Sequence, residues 1–199
     1  MGFECEGFDV EWAADWDDGA IETYRRNLGD AVSKIDLAGD VEIAAVSVVA
    51  GGPPCQGFSS AGMRREGDGR NSLVSRFANQ VLKLRPPAFV FENVEGFLTA
   101  GEGRHVFELL EPLVAGGYRI HLRKVNAANY GVPQHRKRVL AIGGLGWDPT
   151  FPAPTHSAFG APGARLASRR LPATQTLDDA LSGLPRASAG PPGVVQGHL

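Results

Sequence analysis

The stretch Ala44–Ser59, "AAVSVVAGGPPCQGFS", decides how this chain is built. Its first half is a run of small and β-branched apolar residues, the composition of a strand buried inside a parallel sheet. Its second half stops that strand with two glycines and two prolines and then presents Cys55. In open α/β sheets ligands bind beyond the carboxyl ends of the strands, so the cysteine stands where chemistry is expected. Glycine lets the backbone approach a ligand closely, and Pro53 and Pro54 fix φ, so the thiol is offered from a stiff platform. A lone cysteine is also a common buried filler, and Cys55 by itself does not separate a nucleophile from packing.

On either side of this stretch, short apolar runs alternate with amphipathic segments, the pattern of βα units. Strands are expected at Val10–Ala14, Ala44–Ala50, Ala88–Glu92, Tyr118–Val125 and Val139–Gly143, and helices at Asp18–Asn27, Ser72–Lys83 and Val106–Ala115. The last helix places Val106, Leu109, Leu110, Leu113 and Val114 on one face. The fold class is therefore α/β, a parallel sheet with helices on both faces, over residues 1–150. Residues 151–199 are rich in Gly, Pro, Ala and Ser and read as extended loop, broken by one helical turn at Thr176–Leu184.

The 199 residues, 43% hydrophobic and 21% charged, suffice for one core of ordinary size. A net charge of -2 gives no global attraction for nucleic acid, so any such contact must come from local arginines. Two cysteines, Cys5 and Cys55, form no disulfide framework and fit a reducing compartment. No apolar run approaches the about 18 residues of a membrane span, the N-terminus has no signal-peptide pattern, and no metal-ligand spacing stands out. The reading is a cytoplasmic protein of a bacterium.

Three further segments carry candidate chemistry. In "AFVFENVEGF", Glu92 and Asn93 end an apolar run, where partial desolvation suits a carboxyl group to proton transfer; a helix-capping or solvated carboxylate is the competing reading. In "NYGVPQHRKRVLAIG", Arg136 and Arg138 alternate on an entering strand and so share a face, with Gln134 before them. Paired guanidiniums suit phosphate or a base edge, although such residues also make ordinary solvated surface. "GFSSAGMRREGDGRNS" holds four glycines and three arginines and reads either as a lid over a ligand or as a plain surface loop. Near the N-terminus, Asp15 follows the first strand and is itself followed by Trp16, an indole that could also be simple core filler.

"GGPPCQGFS", "FENV" and "QHRKR", in this order and spacing, resemble the DNA (cytosine-5) methyltransferase family, and the likeness runs from Gly2 to about Pro185. It implies a Rossmann-like S-adenosylmethionine-dependent methyltransferase sheet. It also implies transfer of a methyl group from S-adenosyl-L-methionine to carbon 5 of a cytosine flipped out of double-stranded DNA. By the resemblance, Cys55 adds to carbon 6, Glu92 engages ring nitrogen 3, and Arg138 contacts the cytosine carbonyl. Arg136 and Gln134 orient the neighbourhood, and Asn93 helps to hold the glutamate loop. Asp15, Trp16, Asp36, Pro54 and Leu73 would bind the cofactor, and Ser59, Arg64, Arg65 and Arg70 the DNA backbone.

The chain departs from the family pattern in places. Asp15 stands where the family usually has glutamate, and "MGFECEGF" begins downstream of the family's "FxGxGG"-like strand and loop. The expectation is a sheet incomplete at its N-terminus, lacking its central strand, with the target-recognition domain and the last cofactor motifs also beyond these residues. Weak cofactor binding by the isolated chain follows, as does a second polypeptide supplying the missing motifs. Membership of a restriction system and location on the nucleoid are further implications. Two other readings compete: a tRNA methyltransferase of the same fold, and a non-catalytic remnant or DNA-binding subunit.

Overall fold

The structure, a computed structural model, describes residues 2–35, 44–54, 73–157 and 171–184. The chain divides into two compact units, one of residues 1–125 and 137–153, the other of residues 126–136 and 154–199. Residues 126–136 thus cluster with the segment that follows Ala153 rather than with the strands on either side of them.

In the first unit a short helix α1 (Gly2–Cys5) precedes β1 (Ala13–Asp15), α2 (Asp18–Leu28) and β2 (Val32–Lys34). Asp17 starts α2 as its N-cap, accepting a hydrogen bond from the Ala20 amide at 2.8 Å, and Arg25 and Arg26 in the last turn complement the helix dipole. β1 and β2 pair in parallel, Ala13 with Val32 through Asp15 with Lys34. Among the described residues they form a sheet of their own.

The larger sheet has the order β3 (Val48–Gly51), β4 (Ala88–Val94), β6 (Lys137–Leu145), β5 (Tyr118–Asn126). β3 runs parallel to β4, but β4 and β6 are antiparallel. The expected all-parallel sheet is therefore a mixed one. An apolar run such as "VLAIG" packs equally well in either direction, so its composition carries no sign of strand polarity. The first strands are also shorter than their apolar runs: β1 begins at Ala13 rather than Val10, and β3 at Val48 rather than Ala44.

β4 alternates strictly. Phe89, Phe91 and Asn93 are buried, whereas Val90 and Glu92 are only partly covered and Val94 is exposed. The buried face meets α3 (Leu73–Leu84) and α4 (Arg104–Ala115). One core joins Val74, Ala78 and Val81 of α3, Leu109 and Leu113 of α4, Phe89 and Phe91 of β4, and Val139 and Ala141 of β6. Full burial of each Val, Leu or Phe side chain here contributes about 1.5–3 kcal/mol, which fixes β4 and α3 relative to one another. Just before β4, the Tyr118 hydroxyl and the Trp147 indole donate to the Pro86 and Pro87 carbonyls at 2.8 and 2.9 Å.

In the second unit, Asn126 caps a 3-10 turn at Ala127–Tyr130, and the Asn129 carbonyl accepts from the Thr155 and His156 amides at 2.9 and 3.0 Å. The helical turn near the C-terminus is α5 (Leu177–Leu181), shorter than expected and started by a reciprocal capping box between Thr176 and Asp179. No helix among the described residues is long and apolar enough to cross a membrane.

Candidate active site

Because β3 and β4 are parallel, their carboxyl ends leave the sheet on the same edge. The register pairs Gly51 with Phe91, so Gly52 and Pro53 arrive beside Glu92 and Asn93. Asn93 points into the core, 5% exposed, and its side-chain amide donates to the Pro53 carbonyl at 2.9 Å while its oxygen accepts from the Val94 amide at 2.9 Å. The expected role for Asn93 was to hold the glutamate loop; it in fact ties the glutamate strand to the loop that leads to Cys55. Gly52 approaches so closely that a Cβ there would lie 3.2 Å from Glu92 Oε2. The glycine freedom expected to admit a ligand is thus already used to admit the protein's own carboxylate.

The antiparallel pairing of β4 with β6 supplies the cation. Val94 pairs with Arg138, and residues two apart on a strand share a face, so Arg138 sits diagonally across from Glu92. Its Nε lies 2.8 Å from Glu92 Oε1, with 23% of the arginine side chain and 41% of the glutamate side chain exposed. The Arg138 Nη1 also donates to the Lys137 carbonyl at 2.8 Å, which fixes the fork. Glu92 is thus partly desolvated, and its main partner is a guanidinium. Beyond it, Glu95 pairs with Lys124; that hydrogen bond, aided by the charges of Lys124 and Lys137 and opposed by partial desolvation, holds the Glu95 carboxyl below its ordinary value.

The other two members of the arginine motif do not lie on the strand. β6 starts at Lys137, so Arg136 and Gln134 precede it and belong to the second unit. Both are exposed, in tight turns closed by Gln134 N–H to Val132 O at 2.8 Å and Arg136 N–H to Gln134 O at 2.9 Å. The expected strand placement of Arg136 and Gln134 is not met, because these turns, set up by the rigid Pro133, occupy the backbone ahead of Lys137.

On the smaller sheet, Asp15 closes β1, with its backbone paired to Lys34. Its Oδ1 accepts from the amides of Trp16 and Asp17 at 2.7 and 3.0 Å, a local turn that turns the Trp16 side chain outward, 74% exposed. No other hydrogen bond to this carboxylate is made among the described residues, and a broad indole face stands beside it. That donor set fits the adenosine half of S-adenosyl-L-methionine: a carboxylate oxygen for ribose hydroxyls and a π-face for adenine. Pro54 is exposed and Leu73, the first residue of α3, is half-buried. Cys55, Asp36, Ser59, Arg64, Arg65 and Arg70 lie outside the described residues.

Phe77 of α3 escaped the sequence reading. Its ring abuts Gly51, where a Cβ would stand 2.7 Å from the ring. The only signal in the sequence was a large aromatic on the helix that follows the Cys55 segment.

The mixed, Rossmann-like sheet is the fold of the methyltransferase class, and on it Glu92 of β4 meets Arg138 of the antiparallel β6 beside the residues that lead to Cys55. The model of the C-5 cytosine-specific DNA methylase family matches residues 1–171, and the chain belongs to that family. It is 34% identical to the Type II methyltransferase M.AquIA of Picosynechococcus sp., covering 94% of this chain and 85% of that protein. It is 39% identical to the Type II methyltransferase M.AgeI of Thalassovita gelatinovora over 78% of this chain, but only 39% of that protein is spanned. Among solved structures, a DNA modification methyltransferase encoded within an E. coli prophage is similar, with a TM-score of 0.64, 31% identity, and coverage of 91% of this chain and 50% of that one. Members of the family use S-adenosyl-L-methionine as methyl donor.

Proposed function

We propose that this chain carries the catalytic centre of a DNA cytosine-5 methyltransferase of a restriction–modification system, acting on a cytosine flipped out of double-stranded DNA. The observation that carries the proposal is the Glu92–Arg138 pair set against Gly52, with the neighbouring Asn93 holding Pro53, two residues from Cys55. A carboxyl group and a guanidinium on one face match the ring nitrogen 3 and carbonyl oxygen of cytosine, on the side of the ring where negative charge builds when a nucleophile adds.

In this proposal the Cys55 thiolate adds to carbon 6, forming a C–S bond while the 5,6 double-bond electrons move toward carbon 5 and the ring amide. Glu92 hydrogen-bonds or protonates nitrogen 3, and Arg138 holds the carbonyl oxygen. Bound S-adenosyl-L-methionine supplies the electrophilic methyl group for carbon 5. Loss of the carbon-5 proton as the C–S bond breaks restores the aromatic ring and the thiolate. Asp15, Trp16, Asp36, Pro54 and Leu73 would hold the cofactor, while Ser59, Arg64, Arg65 and Arg70 would meet phosphates. Gln134 and Arg136 would orient the substrate's surroundings.

In this proposal a second polypeptide supplies the family motifs that complete the cofactor pocket and the target recognition. The test is transfer of labelled methyl groups to duplex DNA and to tRNA by this chain, with and without the products of neighbouring reading frames. Label on carbon 5 of DNA cytosine, lost in Cys55→Ser, is expected. Label retained by Cys55→Ser, or found on tRNA alone, overturns the proposal.

A further inference from the structure

Three consecutive residues ahead of Cys55 are each seated on a different side chain. Pro53 hangs from Asn93 and Gly52 lies against Glu92, both from β4. Gly51 lies against Phe77, from α3: an added Cβ would stand 2.7 and 2.9 Å from Phe77 Cε2 and Cδ2. Separations of this size cannot be absorbed without movement, so the question is which partner can retreat. Phe77 cannot easily do so, because its ring is itself packed on Phe91 and Phe89, with centroids 5.4 and 6.1 Å away. Phe91 is in turn the β4 partner of Gly51, so ring, strand end and neighbouring strand form a closed circuit of contacts.

The placement of Phe77 along the chain gives this circuit a consequence. Gly51 is the last residue of the strand before the Cys55 segment, and Phe77 lies one turn into α3, the helix after that segment. One contact therefore fixes both attachment points of the segment relative to each other and to Glu92. From this we infer that Phe77 is a positioning residue for Cys55, and that position 51 must be glycine to receive its ring. Phe77 acts through its packing on Gly51 and so sets the height of the strand end that leads to Cys55. The inference rests on the assignment of Cys55 as nucleophile, and near-attack placement is sensitive enough that a shift of about 1 Å costs up to about 100-fold in rate.

The experiment uses the full chain with Cys5→Ser, so that Cys55 is its sole thiol, together with S-adenosyl-L-methionine and any completing polypeptide in the trapping arm, and two readouts. One is the rate at which Cys55 is trapped on duplex DNA containing 5-fluorocytosine, with the DNA concentration for half-maximal rate measured separately. The other is the rate and pH profile of Cys55 alkylation by iodoacetamide, which needs neither DNA nor cofactor. Gly51→Ala should slow trapping about tenfold or more at unchanged half-maximal DNA and displace the alkylation profile. Adding Phe77→Leu to it, which withdraws the ring edge, should restore both to within about threefold. Phe77→Leu with Gly51 retained leaves space rather than a clash and should fold; it is expected to slow trapping by a smaller factor. Rates for Gly51→Ala within twofold of the parent, or no recovery in the double variant, overturn the inference. If the parent is alkylated at Cys55 yet never traps fluorocytosine DNA, the methyltransferase reading fails, and the alkylation arm alone still decides the role of Phe77.

Discussion

At the β3–β4–β6 edge, Glu92 and Asn93 are braced by three elements: Arg138 from β6, the Gly52–Pro53 loop from β3, and a core of aromatic rings beneath. At the end of β1, Asp15 closes a three-residue strand with one parallel neighbour among the described residues, and the indole of Trp16 just beyond it is mostly open to solvent. On the proposed function, the contrast follows from what each end would have to do. A group that must meet a reacting ring needs placement to a fraction of an ångström, and only cross-bracing between packed elements gives that. A group that covers one face of a flat ligand tolerates play, because the ligand itself completes the packing.

The contrast can be broken most forcefully at the braced end. Replacing Arg138 by Ala strips Glu92 of its cation and the substrate carbonyl of its donor, and should lower the rate of methyl transfer by about 10²–10³-fold; Glu92→Gln should do comparable damage. Single-turnover rates at saturating DNA check this. Asn93→Ala leaves the Pro53 carbonyl without its buried donor and should cost about 1–3 kcal/mol of stability, read as a lowered midpoint in chemical unfolding. Its activity should fall further than stability alone accounts for, since the Cys55 loop loses an anchor. The smallest effect is expected at the open end. Trp16→Ala should weaken S-adenosyl-L-methionine binding about three- to tenfold in calorimetry of the complete enzyme, with little change in rate at saturating cofactor.

The two ends also differed in how far they could be read from residues alone. The alternation of "AFVFENV" marked β4, and the rhythm of α4 marked Leu109 and Leu113 as buried, whereas Val114, expected on the same face, is exposed near the end of the helix. The polarity of β6 was not legible: Val139, Leu140, Ala141 and Ile142 bury the same surface in either direction. For the same reason the Glu92–Arg138 contact was foreseen only as two roles on one substrate. Their direct pairing is a product of register between strands far apart in sequence. Arg136 and Gln134 misled because strand alternation was extended through residues whose backbone is committed to turns. Gly51 and Gly52 were recognised as close-approach positions, but what approaches them, Phe77 and Glu92, is fixed only by the packing of α3 and the pairing of β4.

The account stands on a bond between the Cys55 sulfur and carbon 6 of cytosine. Its most direct test is mass spectrometry of the enzyme, supplied with any completing polypeptide and S-adenosyl-L-methionine, after reaction with duplex DNA containing 5-fluorocytosine, which blocks release of the adduct. The predicted result is a methylated fluorocytosine attached to the peptide that contains Cys55, absent from Cys55→Ser. Methylation of ordinary DNA with no such adduct, or an adduct on another residue, contradicts it.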